Sequence, residues 1–204
     1  MLSMRSLLAV VIVSLASSPW AAGEDIESTF QRAAGLLEPY LVLTDRSAAN
    51  ARTEAGRSQI ATALAMLNQV AKARPDHWPS FWFIGKAHQA LRDHPAAYEA
   101  FKQALALKPP NPNVAREFII EAICVRATSD AVAAARDVVR SHPTEADLRA
   151  NLGLALLANA QLTEAKRVTN EALAMAPSDP ITKALLEEIA SVQAGRPPSQ
   201  YCPP

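Results

Sequence analysis

Glycine, aromatic residues, cysteine and any excess of charge are all scarce in this 204-residue chain. With only 6 glycines there is little room for a Gly-rich loop that cradles phosphate, and no Walker or G-x-S-x-G sequence occurs. Aromatics make up 5% while Ala and Leu abound, a composition that favours helix over strand. Twenty Lys and Arg balance twenty Asp and Glu, so the basic patch expected of a nucleic-acid or anionic-membrane binder is missing. The two cysteines, Cys124 and Cys202, make no disulfide framework and match no metal motif. His77, His88, His94 and His142 are the only imidazoles, and no two stand three or four apart, the spacing of a helical metal site. Glu117 and Glu121 share one helix face but read as solvated surface, and adjacent Glu187 and Glu188 share none. Cys124 has no base nearby in sequence and reads as a buried, inert thiol. The expectation is a non-enzyme with no catalytic residue, cofactor or metal.

The first residues read as an address. Arg5 supplies a positive start, Leu7 to Leu15 an apolar run, and Ser17-Ser18-Pro19-Trp20 a break before Ala21-Ala22-Gly23. Cleavage after Gly23 puts small residues at both recognition positions. The alternative, an uncleaved anchor, has too short a run, since spanning a bilayer takes about 20 apolar residues. Removing residues 1–23 leaves 19 bases against 20 acids. A periplasmic or secreted protein is expected, with no membrane insertion after cleavage. Such a compartment permits a disulfide.

Proline is plentiful at 15, and its placement carries the organisation. Pro75, Pro109, Pro143 and Pro177 recur every 34 residues. In the same register, the block 78–111 holds Ile84-Gly85, Ala97, Phe101 and Ala104. The block 146–179 holds Leu152-Gly153, Ala165, Thr169 and Ala172. The middle block 112–145 is degenerate, with Phe118-Ile119, Ala131, Ala135 and Val138. Upstream, Ala63, Leu67 and Val70 match the second half of a further unit, whose first half, 44–57, is polar and poorly matched. Glycine at 85 and 153 fits a close approach of two helices, where a side chain would overpack. Proline ends each second helix, because it lacks an N–H and clashes with the preceding turn. Asp93 or Thr163 could cap second helices.

This pattern resembles the tetratricopeptide repeat family over about 150 residues. The resemblance implies an all-α solenoid of antiparallel helix pairs, about three to four repeats plus a C-terminal capping helix. The expected division is a signal peptide over 1–23 and an N-terminal helix with a degenerate first repeat over 24–77. Repeats follow over 78–111, 112–145 (degenerate) and 146–179, then a capping helix over 180–195 and a Pro-rich tail over 196–204. The front helix is expected to break near Pro39. The capping helix is expected to carry Ile181, Ala184, Leu185 and Ile189 at helical spacing.

In this family the first helix of each unit lines a concave groove, which here implies Trp82, Lys86, Gln89, Asn113, Arg116, Ile120, Ile123, Asp147, Leu154 and Leu157. Where family members grip a C-terminal carboxylate with Lys and Asn, this chain has Trp82, Lys86, Ile120, Ala150 and Leu154. The row grades from cationic and aromatic to aliphatic, which suits an amphipathic helix or an extended apolar segment. Core packing is the competing reading for Ile120, Leu154, Leu157 and Trp82.

The implied function is a protein-binding scaffold of the bacterial cell envelope that takes a peptide or helix of a partner. The alternative is a structural subunit of an envelope assembly that uses its convex face or front helix. The tail, Arg196 to Pro204, is too Pro-rich for helix. It is either a loose end or folds back to join Cys202 to Cys124 across the groove, or Cys202 pairs with another chain.

Overall fold

A computed structural model describes residues 25–41, 49–108, 111–199 and 201–202. The expected signal peptide, Pro109 and the start of the poorly matched 44–57 segment lie outside them. Nine helices are assigned among the described residues: α1 (Ile26–Leu41), α2 (Glu54–Ala73), α3 (Trp78–Ala90), α4 (His94–Leu107), α5 (Pro112–Cys124), α6 (Thr128–Ser141), α7 (Ala146–Ala158), α8 (Leu162–Met175) and α9 (Pro180–Gln193). Each packs on its chain neighbour, and alternate helices touch at α1–α3, α5–α7 and α7–α9. The result is an all-α solenoid of helix pairs, closed at one end by α9.

Punctuation repeats with the period. α2, α6 and α8 each end two residues before Pro75, Pro143 and Pro177. Within each pair the turn is a six-residue cap. Asp93, Ala127 and Gln161 donate their backbone N–H to the carbonyls of His88, Ala122 and Leu156 at 2.8–2.9 Å. The preceding residues, Arg92, Arg126 and Ala160, take left-handed φ of 61°, 63° and 58°. These are again 34 apart, and none is glycine. Side chains cap four helices: Thr53, Asp93, Asn111 and Asp179 accept backbone N–H bonds from the first turns of α2, α4, α5 and α9. Thr163 does not cap, because α8 starts a residue earlier, at Leu162.

Small residues form the seam. Ala63, Ala97, Ala131 and Ala165 have no exposed surface. Sixteen residues separate the contact positions of two pairs: a Cβ at Gly85 would meet the Phe101 ring, and one at Gly153 the Thr169 hydroxyl. In the same register the degenerate middle unit has Ile119 and Ala135, both fully buried in one core cluster, so there the larger residue comes from the first helix.

The core falls into two main clusters. One lies among α1, α2 and α3 around Leu37, Ile60 and Leu67. The other runs from α4 to α9 around Phe101, Ile119, Leu156 and Ile189. α1 is helical through Pro39 to Leu41, and the residues that follow, 42–48, lie outside the described ones, so the expected break near Pro39 is not tested. One expectation needs correction. On α9 the buried side chains include Thr182 and Ile189, with Leu185 half-buried, while Ile181 is 75% exposed and Ala184 is exposed. The inward stripe is Thr182, Leu185, Ile189 and Val192, and Ile181 stands off it.

Candidate functional site

The first helices of the pairs carry the predicted row, and the structure divides it in two. At the α3 end the row closes into a buried polar network. Lys86 Nζ donates to Gln89 Oε1 at 2.6 Å and to Glu117 Oε1 at 3.0 Å. Gln89 Nε2 donates to Glu117 Oε2 and to Glu121 Oε1, both at 2.9 Å. His94 Nδ1 lies 2.8 Å from Glu121 Oε2. Lys86 is 5% exposed, Gln89 7% and Glu121 1%. Lys86 and Gln89 therefore form the wall between α3 and α5 and do not line an open groove. The solvated reading of Glu121 fails for the same reason, since a buried carboxylate must be paired, while Glu117 is half-buried and paired across helices with Lys86 and Gln89. Sequence offered the Glu117/Glu121 spacing but not the Lys86 and Gln89 that lie about 30 positions away.

Trp82 is half-buried against the main core, with Lys86 Nζ 6.0 Å from its ring centroid. Ile123 and Leu157 are buried members of that core, which removes them from the groove. Their helices face both the neighbouring pair and the open side, and these two positions point inward. Leu154 is half-buried and Ile120 is 37% exposed.

At the α7–α9 end the row stays open. A cleft of about 480 Å³ lies between α5, α7 and the start of α9, with Arg116, Asp147, Ala150, Asn151, Asp179 and Ile181 among its walls. Arg116 bridges pairs: it donates to Asn113 Oδ1 at 2.9 Å and to Asp147 Oδ2. The Thr182 hydroxyl and backbone N–H bonds hold the Asp179 carboxyl below the usual range. The cleft thus carries two carboxylates and one guanidinium around an apolar floor. Ile181 was not among the predicted groove residues because 180–195 was assigned to capping alone, and Asp179, the last residue of the 146–179 repeat, lies outside that repeat's first helix.

The tail folds back. Cys124, at the end of α5, is disulfide-bonded to Cys202 across 78 residues, with Cα atoms 5.4 Å apart. Ser199 N–H donates to Glu188 Oε1 at 2.7 Å. Burial, and then the nearby Glu188 charge, push the Tyr201 phenol up to about 12. Cys124 is therefore not the inert thiol that its sequence neighbourhood suggested.

The tetratricopeptide repeat family model matches residues 48–112 and 127–180. The chain belongs to the tetratricopeptide repeat family. The unmatched interval, 113–126, is α5 and its turn, where Ile119 replaces the seam glycine and the buried carboxylates sit. Among solved structures this repeat protein is similar to MamA from Desulfovibrio magneticus RS-1, with TM-score 0.65 and 18% identity over 84% of this chain and 86% of that one. It is also similar to PilW, a widely conserved type IV pilus biogenesis factor, with TM-score 0.59 and 18% identity over 85% and 72%. A third is YrrB, a repeat protein with an unusual peptide-binding site, with TM-score 0.58 and 13% identity over 82% and 84%. At these identities the likeness is one of fold alone. No curated protein matches the chain.

Proposed function

We propose that this protein is a non-catalytic scaffold of the bacterial cell envelope that holds a peptide or helix of a partner protein in the cleft between α5, α7 and α9. The observation that carries the reading is Ile181, a large apolar side chain 75% exposed at the rim of an open cleft. Exposed apolar anchors beside polar rims are what partner segments bury. Arg116, Asn113, Asp147, Ile120 and Leu154 remain as groove residues, joined by Asn151, Asp179 and Ile181. With Asp147 already paired to Arg116 and Asp179 on the cleft wall, the fitting segment presents an apolar side chain to Ile181 and Ala150 and a basic one to the carboxylates. The signal-like residues 1–23 and the Cys124–Cys202 disulfide support an oxidising, exported setting. Among the described residues no helix is long and apolar enough to cross a membrane.

The test is site-specific photocrosslinking from position 181 and, as a control on a second helix, from exposed position 137. A partner adduct formed from 181, absent from 137 and lost on Arg116→Glu in a protein with unchanged helicity, supports the cleft. An adduct from 137 and none from 181 moves binding to the other face and favours a structural subunit instead.

A further inference from the structure

The ligand-capable atoms of His94, Glu121 and Cys124 lie within 4.8 Å of one another, although the residues come from two helices. His94 opens α4, while Glu121 and Cys124 stand three apart on α5 and so share a face. We propose that breaking the Cys124–Cys202 disulfide turns this cluster into a zinc site with His94, Glu121 and Cys124 as its three protein ligands. The inference does not depend on what occupies the cleft.

Donor chemistry selects the metal. One imidazole nitrogen, one carboxylate oxygen and one thiolate are borderline-soft, which fits Zn²⁺ and excludes the hard, all-oxygen cations. Three ligands leave a fourth tetrahedral position for water. Bonds of about 2.0–2.3 Å to zinc place ligand atoms roughly 3.5 Å apart, so His94 Nδ1 and Glu121 Oε2, now 2.8 Å apart, have to open slightly, while Cys124 Sγ draws in by about 1 Å. Cys124 can supply that movement once its sulfur is free. Charge points the same way. Glu121 is 1% exposed, beside Glu117 and opposite Lys86. With Cys124 as thiolate and His94 neutral, three negative groups face one ammonium, an excess of two that a divalent cation cancels. The outer shell is already built: Gln89 Nε2 holds the second oxygen of Glu121 at 2.9 Å, and Lys86 holds Gln89.

Redox state is the gate. In the disulfide the Cys124 sulfur is bonded to Cys202 and has no thiolate to offer. A dithiol reductant delivers two electrons and two protons. It becomes a disulfide, the Cys124–Cys202 bond breaks and two thiols form. Zinc then displaces the Cys124 thiol proton.

The experiment uses the mature chain and cobalt(II) as a chromophoric stand-in, followed by zinc competition against a coloured chelator. Three proteins are compared: oxidised wild type, wild type reduced with a phosphine, and Cys202→Ser without reductant, each checked for helical circular dichroism. Reduced wild type and Cys202→Ser are expected to bind one metal per chain with a thiolate-to-cobalt charge-transfer band. Oxidised protein is expected to bind at least about 100-fold more weakly, since losing a ligand exceeds the 10–100-fold typical of an outer-shell loss. His94→Ala in the Cys202→Ser background should weaken binding as much. Absence of the band from folded, reduced wild type overturns the proposal. Equal binding by oxidised protein, or full binding by folded His94→Ala, overturns it too. Should Cys202→Ser fail to fold, reduced wild type alone decides.

Discussion

Gly85 of α3 lies directly against the ring of Phe101 on α4: a Cβ at position 85 would stand 2.6 Å from Phe101 Cε1. Phe101 has no exposed surface, so its ring has nowhere to retreat. Gly85→Ala gains about 1 kcal/mol of helix propensity against an overpacking cost of about 1–3 kcal/mol. The expected net loss is up to about 2 kcal/mol, read as a lower urea midpoint. A smaller side chain at position 101 is the remedy, because the Phe101 ring is what the added Cβ would meet. Gly85→Ala combined with Phe101→Leu should therefore cost less than the sum of the two single changes. Additive costs would mean that the pair is not a matched unit.

Lys86 gives the second prediction. It is buried, and its ammonium is the cation hydrogen-bonded to Glu117 within the network that reaches Glu121 through Gln89. Removing one partner from a buried ion pair costs roughly 3–5 kcal/mol, since the other charge is stranded. Glu117 keeps some contact with water, which favours the lower end. Lys86→Met should destabilise by about 3 kcal/mol in denaturant titration, and adding Glu117→Gln should recover part of that. A Lys86 variant that loses partner binding would then report lost structure, not a lost groove contact.

The repeat was legible because its marks are local or periodic. Pro75, Pro143 and Pro177 terminate helices wherever they stand, and Gly85 and Ala97 mark close approach through size alone. What the sequence concealed depends on how helices turn against each other. Lys86, Gln89 and Glu121 look like a solvated face until α5 rolls onto α3. Ile181 fits an apolar stripe until α9 docks through Thr182, Leu185, Ile189 and Val192 and leaves it outside. The left-handed residues of the turns were hidden because Arg92, Arg126 and Ala160 are not the glycines that such φ values favour. Cys124 and His94 are 30 positions apart and carry no shared spacing signal.

Tyr201 reports on the tail. Its phenol is pushed up to about 12, first by burial and then by the Glu188 charge. A raised phenol value means that the docked tail prefers the neutral form. Its contribution to docking is therefore complete below the ordinary value of about 10 and lost as pH rises through about 12. Ultraviolet titration of the oxidised protein should show two tyrosines ionising above the ordinary value: Tyr201, and Tyr98, which is raised first by its hydrogen bond to Asp130. Reduction of the disulfide releases the tether and should return Tyr201 alone toward about 10. A titration curve unchanged by reduction would show that the tail is held without its covalent link.

The cleft yields the most direct prediction. Ile181 is 75% exposed and contributes little to the core, so Ile181→Glu should change stability by no more than about 0.5 kcal/mol. An anchor at an interface is worth more to its partner than to its own fold, typically about 2 kcal/mol or more on truncation. The same substitution also buries a charge where an apolar contact is proposed. Affinity for the segment crosslinked from position 181 should fall at least about 30-fold, measured by calorimetry, while the thermal midpoint stays put. Ile123→Glu, at a buried position of the same predicted row, should do the reverse and unfold the chain before any binding can be read. That contrast separates a surface that recognises from one that merely packs. If Ile181→Glu leaves affinity intact, the open end of the row is not where the partner lies.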